Sequence, residues 1–143
     1  VCLNKDGSIR SEDAFTAVGG LLHDRNVGWI IGFNRYLGNC TVLDYEIWGI
    51  FDGLKLMLDW GFERVLIQTD STEVVNIIQD GILKGSNFTL ERRILLLLKL
   101  LSHWSTQYVS RKDNKLAERI VKTVRDRRTG LRLMEDPVQM DSL

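Results

Sequence analysis

The sequence predicts an α/β domain built on one five-stranded mixed sheet, its first three strands antiparallel, with helices on both faces. Three observations carry this. The first third of the chain holds only strand-like segments joined by short turns. From residue 42 onward, helical and strand-like periodicities alternate. The 143 residues, 44% hydrophobic and 27% charged, suit one domain that buries a core without staples.

Taken in order, residues 1–8 read as a strand stopping at Asp6-Gly7-Ser8. Residues 14–24 form a second strand, with Gly19-Gly20 inside it where a neighbouring backbone can approach closely. A turn at residues 25–28 leads to a third strand over 29–36. Residues 42–60 change period, with apolar positions at 43, 47, 50, 51, 54, 57 and 58 marking a helix buried along one side. Gly61 closes it as a C-cap. Residues 64–69, with Val65-Leu66-Ile67 at their centre, read as a fully buried strand. Helices follow over 71–79 and 89–104, then a strand over 106–110. A last helix spans 114–127, with Leu116, Ile120, Val121 and Val124 on one face. The domain is expected over residues 1–130. Residues 131–143, poor in apolar content and holding the single proline, are expected to form a flexible tail.

Composition narrows the function classes. The two cysteines, Cys2 and Cys40, have no ligand-like spacing and fit a reducing, intracellular setting. No apolar run reaches the roughly 18 residues of a membrane span, so a soluble domain is expected. The chain opens directly on strand-like residues, without a signal peptide, which reads as a piece of a longer polypeptide. Its net charge is zero, yet residues 111–132 hold nine Lys/Arg against three acids. Such a basic stripe on a neutral domain suits a phosphate-facing surface.

Four carboxylates stand out. Asp6 and Asp70 sit at strand ends. Asp6-Gly7 is also a turn signal, and Asp70 or Ser71 can cap the next helix. Glu46 lies in the most apolar part of a helix, where a carboxylate needs a partner such as Arg35 or Lys55, or a metal. Glu118 falls in a first helical turn, where an acid also suits the macrodipole. Jointly, hard oxygen ligands from two strand ends and two helices suit Mg²⁺. Two such ions about 4 Å apart can activate water and stabilise the leaving oxygen of a phosphodiester.

The stretches Leu3-Asn4-Lys5-Asp6-Gly7-Ser8, Glu46-Ile47-Trp48-Gly49-Ile50 with Gly53-Leu54, Gln68-Thr69-Asp70-Ser71, and Arg111-Lys112-Asp113-Asn114-Lys115-Leu116-Ala117-Glu118 occur in the order and spacing of ribonuclease H. They resemble most the plant, retroelement-derived, reverse-transcriptase-like branch of that family, over residues 1–125. The resemblance implies a ribonuclease H-like fold and hydrolysis of the RNA strand of an RNA–DNA hybrid with two Mg²⁺ ions, or Mn²⁺ in their place. It places Asp6, Glu46, Asp70 and Glu118 at the catalytic, metal-binding positions. Ser8, Ser71, Arg111, Lys112, Asn114 and Lys115 become nucleic-acid contacts. It further implies a monomeric domain that can form one segment of a longer retroelement polypeptide.

The sequence departs from the family pattern at three positions. Glu118 stands where the family carries Asp. Lys5 precedes Asp6 where a small or apolar residue is usual, and Tyr45 precedes Glu46 where Ala is usual. The link before the last helix lacks a histidine, and His23 and His103 read as surface or packing residues. The departure at Glu118 motivates an alternative: a remnant that binds nucleic acid without efficient cleavage. A third reading is a protein-interaction module using an apolar face of helix 89–104.

Overall fold

The computed structural model describes residues 1–10, 15–24, 28–38, 41–81, 88–110 and 131–134, with the backbone alone for residues 5–10, 15–17, 42, 88, 131, 132 and 134. The elements run β1 (Cys2–Arg10), β2 (Phe15–His23), β3 (Trp29–Tyr36), α1 (Val42–Asp59), β4 (Arg64–Thr69), α2 (Thr72–Asp80), α3 (Phe88–Lys99), β5 (His103–Tyr108) and β6 (Leu131–Met134). The sheet order is β5-β4-β1-β2-β3-β6. The first three strands are antiparallel neighbours, and β4 and β5 lie parallel to β1. The predicted five-stranded mixed sheet is therefore present.

Three local expectations are corrected. β1 does not stop at Asp6-Gly7. It continues to Arg10, with Asp6 opposite Gly19 and Gly7 opposite Val18, because ladder pairing with β2 overrides the local turn preference. The third helix ends at Lys99 rather than 104. The Leu100 and Leu101 N–H groups bond back to the carbonyls of Leu97 and Leu98, a tightened last turn. Ser102 and His103 then donate to the Glu63 carbonyl, so the chain is captured by the start of β4. The pairs His103–Arg64 and Val65–Trp104 put 103–105 into β5. Finally, residues 131–134 are not tail. They add a sixth strand to the outer edge of β3, pairing Gly32 with Met134 and Arg35 with Leu131. Four residues carry too little periodicity to announce a strand whose hydrogen bonds all come from a distant edge.

β4 shows the alternation that defines the core. Val65, Ile67 and Thr69 are buried, while Leu66 and Gln68 are half-buried. Leu3, opposite Ile67 in the ladder, joins them under α1 with Leu22, Phe33, Ile47, Ile50, Leu54 and Met57. Thr41 starts α1, its hydroxyl accepting from the Asp44 N–H at 3.1 Å. α2 buries Val74, Ile77 and Ile78 and reaches β5 through Gln79 Nε2, which donates to Thr106 Oγ1 at 2.6 Å. α3 packs against α1 through Leu90, Ile94 and Leu98. The three described helices thus lie on the Leu3–Ile67 side of the sheet. The expected helix over 114–127 falls outside the described residues.

One ion pair ties α1 to β3. Arg35 donates through Nε to Asp52 Oδ2 at 2.7 Å and through Nη2 to Oδ1 at 3.0 Å. Its guanidinium also lies 5.0 Å from the Trp48 ring centroid. Asp52 is 3% exposed, and burial raises its pKa despite the opposing pull of Arg35 and Lys55. A raised pKa means that the folded state holds this proton more tightly. Asp52 therefore contributes most below the ordinary aspartate range, and that contribution is lost as pH rises through its raised value. Asp52→Asn is expected to remove this slope. In urea unfolding at stepped pH, the stability gap between wild type and variant should shrink from the ordinary aspartate range upward. A gap that widens with pH would mean that the Arg35 attraction outweighs burial.

Candidate active-site cleft

The parallel pairing of β1 with β4 sets the geometry of the site. Cys2 lies opposite Leu66, Leu3 opposite Ile67 and Asn4 opposite Gln68. The ladder ends at that pair, with Asp6 two residues further along β1 and Asp70 just past the end of β4. At the pair itself, Asn4 Nδ2 donates to Gln68 Oε1 at 3.4 Å.

Asp70 follows the last residue of β4. Ser71, rather than Asp70, caps α2: its hydroxyl accepts the Val74 N–H at 3.2 Å. The Ser71 N–H in turn donates to Thr69 Oγ1 at 3.2 Å. The capping alternative for Asp70 is thereby removed, and its carboxylate is left at the mouth of a cleft. Glu46 approaches the same cleft from α1. It is 6% exposed, between the buried Ile47 and the half-buried Tyr45. Arg35, one partner expected for it, pairs with Asp52 instead, and Glu46 is held by an interaction of its own.

The cleft has a volume of about 370 Å³ and is lined by Leu43, Glu46, Asp70, Ser71, Thr72 and Glu73. The N-terminal parts of α1 and α2 thus both line it, with Glu46 from α1, Glu73 from α2 and Asp70 from the link before α2. Of the expected site residues, the fold brings together Glu46, Asp70 and Ser71. Asp6 lies on β1 opposite Gly19, and Ser8 lies further along β1 opposite Ala17. Arg111, Lys112, Asn114, Lys115 and Glu118 fall outside the described residues. His23 is half-buried on β2, Nδ1 lying 2.8 Å from the Asp24 carbonyl oxygen, and His103 is exposed on β5.

Sequence reasoning missed Glu73 and the Arg35–Asp52 pair. Glu73 was legible as the fourth residue of Asp70-Ser71-Thr72-Glu73, but only the position of the cap shows where it stands on α2. Asp52 carried no signal beyond being an acid in an apolar helix.

The donor set on the cleft consists of carboxylate oxygens, which suit a hard divalent cation such as Mg²⁺. Among the described residues, no three His, Cys, Asp or Glu side chains converge closely enough to hold an ion by themselves. A complete first coordination sphere would need Asp6 or Glu118 together with water.

A five-stranded mixed sheet with an acidic cleft where β1 and β4 run parallel defines a ribonuclease H-like domain. Residues 4–124 match the reverse transcriptase-like family, and the chain belongs to that family. It is 32% identical over 82 residues to an Arabidopsis thaliana protein named "Putative ribonuclease H protein". That match covers 57% of this chain and 13% of the relative's length. The fold is similar to ribonuclease H1 of the archaeon Halobacterium salinarum, with a TM-score of 0.79 and 23% identity over 88% of this chain and 97% of the other. An N-terminal ribonuclease H domain from Mycobacterium tuberculosis also gives 0.79, at 19% identity over 87% and 92%. The LC11 ribonuclease H1, solved in complex with an RNA/DNA hybrid, gives 0.76 at 17% identity over 87% and 96%.

Proposed function

We propose that this domain binds RNA–DNA hybrids and hydrolyses their RNA strand in a divalent-metal-dependent reaction. The observation that carries this is the convergence of Glu46 and Asp70 on one cleft, at the end of the strand that runs parallel to β1. Asp6, Glu46, Asp70 and Glu118 would hold two Mg²⁺ ions, with Mn²⁺ as a substitute. Bound there, the ions supply water activation and stabilisation of the leaving oxygen. The protein's own part is to hold its carboxylates still. α1 packing fixes Glu46 from the core side, and the Ser71 cap fixes the turn after Asp70. Ser8, Ser71, Arg111, Lys112, Asn114 and Lys115 would position the duplex through its backbone, without reading sequence, while the 2′-hydroxyl distinguishes RNA from DNA. The LC11 complex with an RNA/DNA hybrid supports this substrate class.

One observation favours a second reading, a nucleic-acid-binding remnant of a retroelement with weakened chemistry. Glu118 occupies the fourth acidic position with one methylene too many. A displacement of about 1 Å can cost on the order of 10²-fold in rate, and Mg²⁺ tolerates distorted coordination badly. Hybrid cleavage in Mg²⁺ and Mn²⁺, measured on the native chain and on Glu118→Asp, separates the two. The enzyme reading expects the native chain to cleave and Glu118→Asp to cleave faster, by up to about 10²-fold. Salt-dependent hybrid binding with no cleavage by either form would leave only the remnant reading.

A further inference from the structure

The cleft spans a seam between two halves of the fold. α1, which carries Glu46, packs on β1 and β2. α2 packs on β4 and β5, and Asp70 lies in the link between β4 and α2. Each half stays tied within itself at the level of the cleft. β1 remains paired with β2 as far as Arg10, and the Val109 N–H after β5 donates to the Thr69 carbonyl of β4 at 2.9 Å. The seam has no such extension, because β1–β4 pairing ends at Asn4 and Gln68. Side chains alternate along a strand, so Asn4 and Gln68 point to the face opposite Leu3 and Ile67, away from the three described helices. There Gln68 joins β4 to its neighbours on both sides. Its Nε2 donates to Gln107 Oε1 on β5 at 3.1 Å. Its Oε1 accepts from Asn4 Nδ2 on β1 at 3.4 Å and lies 3.4 Å from His23 Nε2 on β2. Asn4 Oδ1 is buried without a hydrogen-bond partner, so the Asn4 amide relies on Gln68.

We propose that Gln68 is a positioning residue for the candidate site: its amide closes the β1–β4 seam on the face opposite the helices and sets the separation of Glu46 from Asp70 across the cleft. Its consequence for metal binding rests on the two-ion reading above. Glu46 on one half and Asp70 on the other repel each other, which pushes the halves apart just past the last backbone pair. A side-chain bridge at that pair opposes the push. A cross-strand pair of this kind adds little to global stability. Its weight lies in geometry, since a displacement of about 1 Å in a site can cost on the order of 10²-fold in rate.

The test compares wild type with Gln68→Met and Asn4→Leu, which keep side-chain size but remove the bridge, and with Gln107→Met, which removes a bond inside one half. Spin labels at Asp59→Cys on α1 and Asn76→Cys on α2, both exposed positions, with Cys2 and Cys40 replaced by Ser, report the distance between the halves by pulsed electron paramagnetic resonance. Thermal melts report folding. Gln68→Met and Asn4→Leu are each expected to lengthen or broaden that distance by about 1 Å or more, the scale that matters to a site. Gln107→Met should leave it unchanged. In the unlabelled chain without nucleic acid, Gln68→Met should weaken Mn²⁺ binding about tenfold, as loss of an orienting group does, and Asp70→Asn should weaken it further. Asn4→Leu carries the same prediction if Gln68→Met does not fold. An unchanged distance in the folded bridge variants overturns the proposal. So does an equal change in Gln107→Met, which would assign the effect to the sheet as a whole. If the distance changes as expected but Asp70→Asn binds Mn²⁺ as wild type does, the two-ion reading fails and the positioning role of Gln68 for a metal site falls with it.

Discussion

Glu46→Gln is expected to lower hybrid cleavage by on the order of 10²-fold or more while leaving the domain folded. The substitution keeps volume and shape, so α1 packs as before, with Ile47 and Ile50 in the core. What changes is the charge and the donor–acceptor pattern at a side chain that is 6% exposed and lines the cleft. A neutral amide cannot balance a divalent cation, and its NH₂ group presents donors where a cation needs oxygen lone pairs. The stability change should stay within about 1 kcal/mol, because burying a carboxylate is itself costly. The measurement is kcat on a hybrid, in whichever of the native chain and Glu118→Asp cleaves, alongside a thermal melt of each protein. Cleavage within tenfold of the parent would remove Glu46 from the metal site.

Gly53→Ala is expected to destabilise the domain by roughly 1–2 kcal/mol, although alanine is the better helix former. The helix-propensity gain is about 1 kcal/mol. Against it stands a collision: a Cβ at position 53 would lie 2.3 Å from Leu3 Cδ1 and 2.6 Å from Cδ2. Leu3 is 0% exposed, enclosed by the core, so its side chain has nowhere to retreat. Overpacking costs about 1–3 kcal/mol; with Leu3 enclosed the upper part of that range applies, about 2–3 kcal/mol, which exceeds the propensity gain by about 1–2 kcal/mol. A melting temperature lower by about 3–6 °C follows for a domain of this size. Leu3→Ala by itself should cost about 2–5 kcal/mol, and the double variant less than the sum of the two, since each change makes room for the other. A Gly53→Ala variant that melts higher than wild type would show that α1 and β1 are not held at this separation. The contact also bears on the site, because Leu3 lies three residues before Asp6 on the strand that α1 presses against.

The same logic explains why the sequence was readable in some places and not in others. The strand β4 and the helix α1 announced themselves through a Val-Leu-Ile run and an apolar helical repeat, but their burial was not legible. Leu66 in the strand read as fully buried is only half-buried, and the helix read as buried along one side is buried on most sides because it packs against β1, β2 and α3. The end of α3 was not legible, because residues 94–101 are apolar whichever way the chain turns. Only the bonds from Ser102 and His103 to Glu63 decide that Trp104 belongs to a strand. Of the four candidate acids, Glu46 and Asp70 share one cleft, as their motifs suggested. Their alternatives were not separable locally. Asp6-Gly7 is a good turn until β2 pairs across it, and Asp70 is a good cap until Ser71 takes that place.

By itself, then, the sequence determined the mixed sheet and its antiparallel opening, because both are written in local period and residue type. Tertiary structure alone decided which acids share a cleft, since that depends on the β1–β4 register and on how far α1 can approach Leu3 across Gly53. It also decided that Arg35 serves Asp52 rather than Glu46, and that residues 131–134 extend the β3 edge. Each of these is a contact between residues far apart in the chain, where the partner, and not the local sequence, selects the outcome.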